Sequence, residues 1–158
     1  MEYVVDCPYI PQPDQRTCWH ASYKMLLRCR GADEGLADRL PDADKMREDG
    51  IMDSQFHTCR DFLGLNSTRY TYLKEFDHLK TLLEMYGPIW VSGFYASGHK
   101  HIVILRGVRS PWYSSDEDVY INDPYRGITG AEARPAWWSF SYFKRNINPV
   151  QFACQHWP

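Results

Sequence analysis

Cys18, His101 and Asp123 are the residues whose types and surroundings point to chemistry. A thiol becomes a strong nucleophile only as its thiolate, and a helix N-terminus or a nearby imidazolium favours that form. Cys18 stands in QRTCWHASYKML, with Thr17 placed to cap a helix running to Cys29 or Arg30 and Gly31 closing it. His101 opens the most apolar run of the chain, HIVILRGV, so an imidazole there sits at the mouth of a strand and can face a helix packed across the sheet. It is then placed to take the Cys18 proton and return it to a leaving group. Asp123 closes YIND just before Pro124, where a carboxylate can hold the far nitrogen of the ring and fix its tautomer. Asn122, its neighbour, points to the other face of the strand. Gln12 and Gln15 both precede Cys18 and either amide can donate to an oxyanion, alongside the backbone N–H of Cys18; spacing alone does not choose between them.

Each residue also has a plain structural reading. A cysteine near a helix start is commonly a small buried hydrophobe, a histidine at a strand end is commonly just satisfied there, and Asn-Asp-Pro is an ordinary turn. His99 shares the face of His101 if the strand extends that far, which makes a two-histidine metal pair conceivable with Cys154 and His156. No DxH or ExxH spacing supports it, and no metal or cofactor is expected.

The elements that must position these residues follow from periodicity. Ala21, Met25 and Cys29 recur at helical spacing, with Leu26 beside them. PYIPQPDQ reads as an extended lead-in. Short helical stretches are expected near 33–39, 42–48 and 54–63, closed by Gly64 and Asn66. Residues 68–73 read as a strand, 74–85 as a helix stopped by Gly87-Pro88, and 89–94, 101–108 and 119–123 as strands. A helix near 138–145 and a last strand near 150–155 complete the chain. Helices come first and strands later, an order that indicates α+β with a mostly antiparallel sheet and the Cys18 helix packed on it. With 158 residues, no repeats and no linker, one domain over 1–158 is expected.

Composition narrows the partners. The net charge is -2 and Lys and Arg are scattered, so there is no footprint for nucleic acid. No apolar run is long enough to span a membrane. The opening MEYVVDCPYI carries no basic n-region or long apolar segment, so no cleavable signal peptide is expected. Export would use a route that reads no such signal, or the chain is part of a longer product. The five cysteines are dispersed without a CxxC pair, and reduced, mostly buried thiols are expected. The 6 Trp and 11 Tyr residues are read mainly as core, with Trp19, Trp90, Tyr95, Trp112, Tyr125, Trp137 and Trp138 as candidates for groove walls.

Taken together, QPDQRTCWHASYKML (12–26), GPIWVSG, HIVILRG and INDP resemble the active-site windows of papain-like cysteine peptidases. The chain is most similar to the AvrRpt-type bacterial effector proteases and also resembles the double-glycine leader peptidase domains of bacteriocin exporters. Cys-Trp favours the former, since the exporters usually have Cys-Gly. The resemblance implies a papain-like fold with Cys18 as nucleophile, His101 as base and Asp123 as its orienting carboxylate. It selects Gln12 over Gln15 for the oxyanion hole and His101 over His99 by the six-residue step to Gly107. Trp19 and His99 become candidate substrate contacts. His20 departs from the small residue of the relatives and receives no role.

A Cys–His–Asp site implies amide hydrolysis through a thioester, with a protein or peptide as substrate. An effector or toxin protease released through a specialised secretion system is the first expectation, with a cognate inhibitor, an immunity protein or an activating host factor as further partners. An amidase, deamidase or peptidoglycan hydrolase of the same fold, or a catalytically inactive binding module, remain open at this point.

Overall fold

Strand β3 (His101–Arg109) organises the molecule. Its run of branched aliphatic residues is buried almost throughout, as expected of a strand covered on both faces. The computed structural model describes residues 1–95, 98–113, 115–125 and 135–158. Within them β3 pairs antiparallel with β2 (Ile89–Gly93) and β4 (Asp118–Asn122). The sheet order is β5-β4-β3-β2-β6, with β5 spanning Ala136–Ser139 and β6 spanning Cys154–Gln155. A short strand β1 (Glu2–Val4) adds to the far end of β3, Val4 opposite Gly107.

Helix α1 (Cys18–Cys29) covers one face, and its Trp19, Tyr23, Met25, Leu26 and Leu27 share a core with Trp90, Ile102 and Ile104. Helices α2 (Ala43–Asp49) and α3 (Phe56–Phe62), with 3₁₀ turns at Glu34–Arg39 and Asp53–Gln55, close this side. Helices α4 (Phe76–Tyr86) and α5 (Phe140–Asn146) cover the other face against Val91, Val103, Leu105, Val108, Val119 and Ile121. The order of helices first and antiparallel sheet later agrees with the α+β expectation.

Several local readings are corrected. Residues 68–73 form no strand; Tyr70–Lys74 is a 3₁₀ helix leading into α4. Only Leu73 of that turn is buried, and with Phe76 and Leu79 it supplies buried side chains at three-residue intervals, while Tyr72 stacks on His78 at 3.8 Å. The alternation of aromatic residues there records surface stacking, not a pleat. Ala136–Ser139 is a strand where the helix near 138 was expected. Trp137 pairs with Tyr120 across the β4–β5 ladder, and α5 begins only at Phe140, capped by the Ser139 hydroxyl, which accepts from the Tyr142 N–H at 3.2 Å. The last strand is reduced to two residues because Phe152 takes a left-handed backbone (φ 72) and the Ala153 N–H turns back to Val150 O.

Two glycines keep β3 in register. The β3–β4 ladder slips between Leu105 and Gly107, and a Cβ at Gly107 would lie 3.0 Å from Tyr3 O, the Tyr120 Cβ and Val4 Cγ2. Gly93, paired with His101, has no room at all: a Cβ would meet the Tyr95 ring at 2.3 Å and Asn146 O at 2.6 Å. The strand end that carries His101 therefore depends on a residue without a side chain opposite it.

Candidate active site

The first turn of α1 lies at the start of β3. One turn into the helix the Ser22 hydroxyl donates to Ile102 O at 3.5 Å, and at the next residue the Tyr23 ring stacks on Trp90 at 5.0 Å. These contacts hold the helix across the strands and bring its N-terminal residue, Cys18, beside His101. Cys18 is near enough to the His101 ring to be among the groups that raise its pKa. Cys18 keeps 9% exposure where its neighbour Trp19 has 0%, so the helix end opens at this residue and seals immediately behind it. Thr17 occupies the cap position without a side-chain cap; its hydroxyl donates back to Asp14 O at 3.4 Å. The first N–H groups of α1 thus receive nothing from Thr17, which leaves the positive end of the helix facing the thiol.

Asp123 follows the last residue of β4. The ladder pairs Ile104 with Asn122, and one more step puts Asp123 opposite Val103 and diagonal to His101. Its Oδ1 lies 2.6 Å from His101 Nε2 and also accepts the Tyr125 N–H at 2.9 Å. With Nε2 engaged by Asp123, Nδ1 is the ring nitrogen left for another partner. Burial alone would lower the proton affinity of the His101 ring. The bond to Asp123, the bond to Cys18 and the negative charge of both partners outweigh it, and the pKa is raised from 6.5 to about 9. At neutral pH His101 is an imidazolium hydrogen-bonded to Asp123, and a positive charge beside a thiol favours its ionised, nucleophilic form.

Gln12 is buried at 4% exposure, whereas Gln15 is exposed. Its Nε2 donates to Asp14 O at 2.6 Å, which uses one of its two hydrogens, and its Oε1 is buried without a partner. The lead-in that bears it is fastened to the Asp123 loop: Gln12 N–H donates to Pro124 O at 2.8 Å and the Tyr9 hydroxyl donates to Asp123 O at 2.9 Å.

The sequence profile of the papain-like cysteine protease AvrRpt2 family matches residues 1–146. The chain belongs to this family. It is a papain-like cysteine protease. Among solved structures, a double glycine motif protease from an AMS/PCAT transporter, crystallised in complex with the leader peptide, is similar to it. The TM-score is 0.55 at 18% identity, covering 98% of this chain and 91% of that one. At that identity the likeness establishes the fold. No curated protein matches the chain.

Several expectations about this papain-like protease change. Trp19 is not a substrate contact: it is fully buried and its indole N–H donates to Met46 O at 3.2 Å. It sits one residue past the open helix end, on the inward face. Trp90 and Tyr95 are likewise core, and Trp112, 92% exposed, lies beyond the far end of β3 from His101. Tyr125 is the aromatic next to the site, its ring edge-on to His101 with centroids 5.9 Å apart. His99 is exposed and precedes the strand, so it does not share a strand face with His101. His20 is bound to Asp38 at 2.7 Å on the other side of the helix start. Asn122 is buried, its amide donating toward Cys7 O at 3.3 Å. Among the described residues no helix is long and apolar enough to cross a membrane.

Sequence reasoning missed Tyr9 and the Tyr125 backbone. Both hold Asp123 in place, and both act through long-range contacts of an irregular lead-in or loop, which periodicity does not register. The proline beside Asp123 was the only local signal that the carboxylate needed a turn to support it.

Proposed function

We propose that this protease hydrolyses peptide bonds with Cys18 as nucleophile, His101 as general base and acid, and Asp123 as the orienting carboxylate. The observation that carries the reading is the 2.6 Å bond of Asp123 Oδ1 to His101 Nε2, on a ring whose pKa is also raised by Cys18 at the N-terminus of α1. The Cys18 thiolate attacks the scissile carbonyl. The developing oxyanion is received by the Cys18 backbone N–H and the remaining hydrogen of Gln12 Nε2. His101 then gives its proton to the leaving amine, a thioester forms, and water activated by the neutral ring releases the acid. Asp123 keeps the ring edge toward Cys18 throughout and stabilises the imidazolium.

The substrate in this reading is an extended peptide passing over Cys18, with Tyr125 and His99 as candidate contacts. The similar double glycine motif protease was crystallised with a leader peptide, which supports a peptide in the corresponding groove. Membership of the AvrRpt2 family supports a role as a bacterial effector or toxin delivered by a specialised secretion system, acting in a target cell and subject to a cognate inhibitor or activating host factor. The test compares peptide profiles of a target-cell proteome treated with the wild type and with Cys18→Ala. New termini appear only with the wild type if the reading is right. Identical profiles from a Cys18 that alkylates no faster than the other thiols overturn it.

A further inference from the structure

Two cysteines outside the site face one another. Cys7 lies in the lead-in and Cys29 is the last residue of α1, and each thiol lies against the backbone next to the other. The backbone around them closes the same contact from both sides: Cys29 Sγ is 3.4 Å from Asp6 O, and Cys7 Sγ is 3.9 Å from Met25 O, one helical turn before Cys29. Both are free thiols. They differ in accessibility, Cys7 being 1% exposed and Cys29 partly exposed. They differ in acidity in the complementary sense. The hydrogen bond from Cys7, foremost, lowers the Cys29 pKa, while the same bond and burial raise that of Cys7. An accessible thiol of lowered pKa beside a buried one is the arrangement of an attacking and a resolving cysteine.

Cys7 also begins the strap that serves the site. Its carbonyl accepts from the Arg106 guanidinium and from Asn122 Nδ2, two residues on Tyr9 anchors Asp123, and three further on Gln12 is tied to Pro124. The strap is otherwise irregular, and among these fastenings none joins it covalently to α1.

We propose that Cys7 and Cys29 form a peroxide-responsive disulfide site that pins the strap bearing Tyr9 and Gln12 to the end of α1. The Cys29 thiolate attacks a peroxide oxygen, the O–O bond breaks, and Cys29 becomes a sulfenic acid with release of hydroxide. The Cys7 sulfur then attacks the Cys29 sulfur, the S–O bond breaks, and the departing hydroxide takes the Cys7 proton as water. Two thiols are oxidised by two electrons and one hydrogen peroxide is reduced to two waters. This site does not depend on the role of Cys18.

The test uses the whole chain carrying Cys18→Ser, so that oxidation of the candidate nucleophile is removed, treated with stoichiometric hydrogen peroxide. The expected product loses about 2 Da, as two thiols becoming a disulfide require. Non-reducing tryptic mapping links Met1–Arg16 to Cys29–Arg30, dithiothreitol reverses the link, and amide exchange of residues 9–12 slows. With Cys7→Ser added, Cys29 has no resolving thiol and proceeds to the sulfinic acid. Absence of the 7–29 link in the Cys18→Ser chain, or Cys29 over-oxidised with Cys7 still free, overturns the site. A link that leaves exchange at 9–12 unchanged overturns the pinning.

Discussion

Replacing Asp123 by Asn isolates charge from geometry at the candidate site. Asp123 Oδ1 accepts from two donors at once, His101 Nε2 at 2.6 Å and the Tyr125 N–H at 2.9 Å. An Asn at this position is obliged to turn its oxygen, not its NH2, toward that pair, so the ring stays oriented and only the negative charge is lost. The His101 pKa, about 9 against an ordinary 6.5, represents about 3 kcal/mol of preference for the imidazolium at ~1.4 kcal/mol per tenfold. Asp123 is the foremost group raising it, and an opposite charge at this distance typically contributes roughly 1–3 pH units. Taking about 1.5, the Asn variant titrates near 7.5; at pH 8 roughly nine-tenths of the wild-type rings are protonated against about a quarter in the variant. The assay alkylates Cys18 in parallel with iodoacetate and iodoacetamide and follows the Thr17–Lys24 peptide by mass spectrometry. An imidazolium attracts the anionic reagent, so the ratio of the two rates falls as the proton leaves. In the wild type the fall is centred near pH 9, and in Asp123→Asn at least about one unit lower. The same proton has a stability sign. A raised histidine pKa stabilises the fold fully below about 6.5, and the contribution fades as pH rises through about 9. A fall that stays near pH 9 in the variant refutes the argument that Asp123 holds this proton by charge.

Two other substitutions test the surroundings. Gln12→Ala removes the side-chain donor assigned to the oxyanion and is expected to lower kcat by about 10²–10³, with a smaller change in KM; a peptide-cleavage assay in which KM alone moves would place Gln12 in binding. Gly93→Ala forces a methyl group against the Tyr95 ring and Asn146 O opposite His101. Thermal unfolding should show a loss of about 1–3 kcal/mol, and a variant as stable as the wild type would mean that the strand pair yields there at little cost.

The residues proposed for chemistry were legible because each sits at a local boundary that sequence marks well. Cys18 follows a threonine at the start of a periodic apolar helix, His101 opens a continuous aliphatic strand, and Asp123 stands before a proline. Helix and strand periods, and the punctuation of Gly and Pro, are properties of neighbouring residues and survive in one dimension. Residues 68–73 and 136–139 were misread for the converse reason. Their aromatic side chains satisfy themselves against His78 and Tyr120, partners that no local pattern announces.

From its amino acids alone, then, the chain determines an N-terminal helix headed by a thiol, a later antiparallel sheet, and a histidine and a carboxylate at adjacent strand ends. Tertiary structure decided which side chains meet. It sealed Trp19 completely and left Cys18 a residual exposure, buried Gln12 while Gln15 stayed exposed, and recruited Tyr9 and the Tyr125 N–H to support Asp123. It also brought the Cys7 strap against the end of α1 that bears Cys29. The physical reason is that burial and hydrogen bonding between segments more than a hundred residues apart, such as Tyr9 and Asp123, depend on how the sheet twists and where the helices cross it. A periodicity only a few residues long carries no record of those distances.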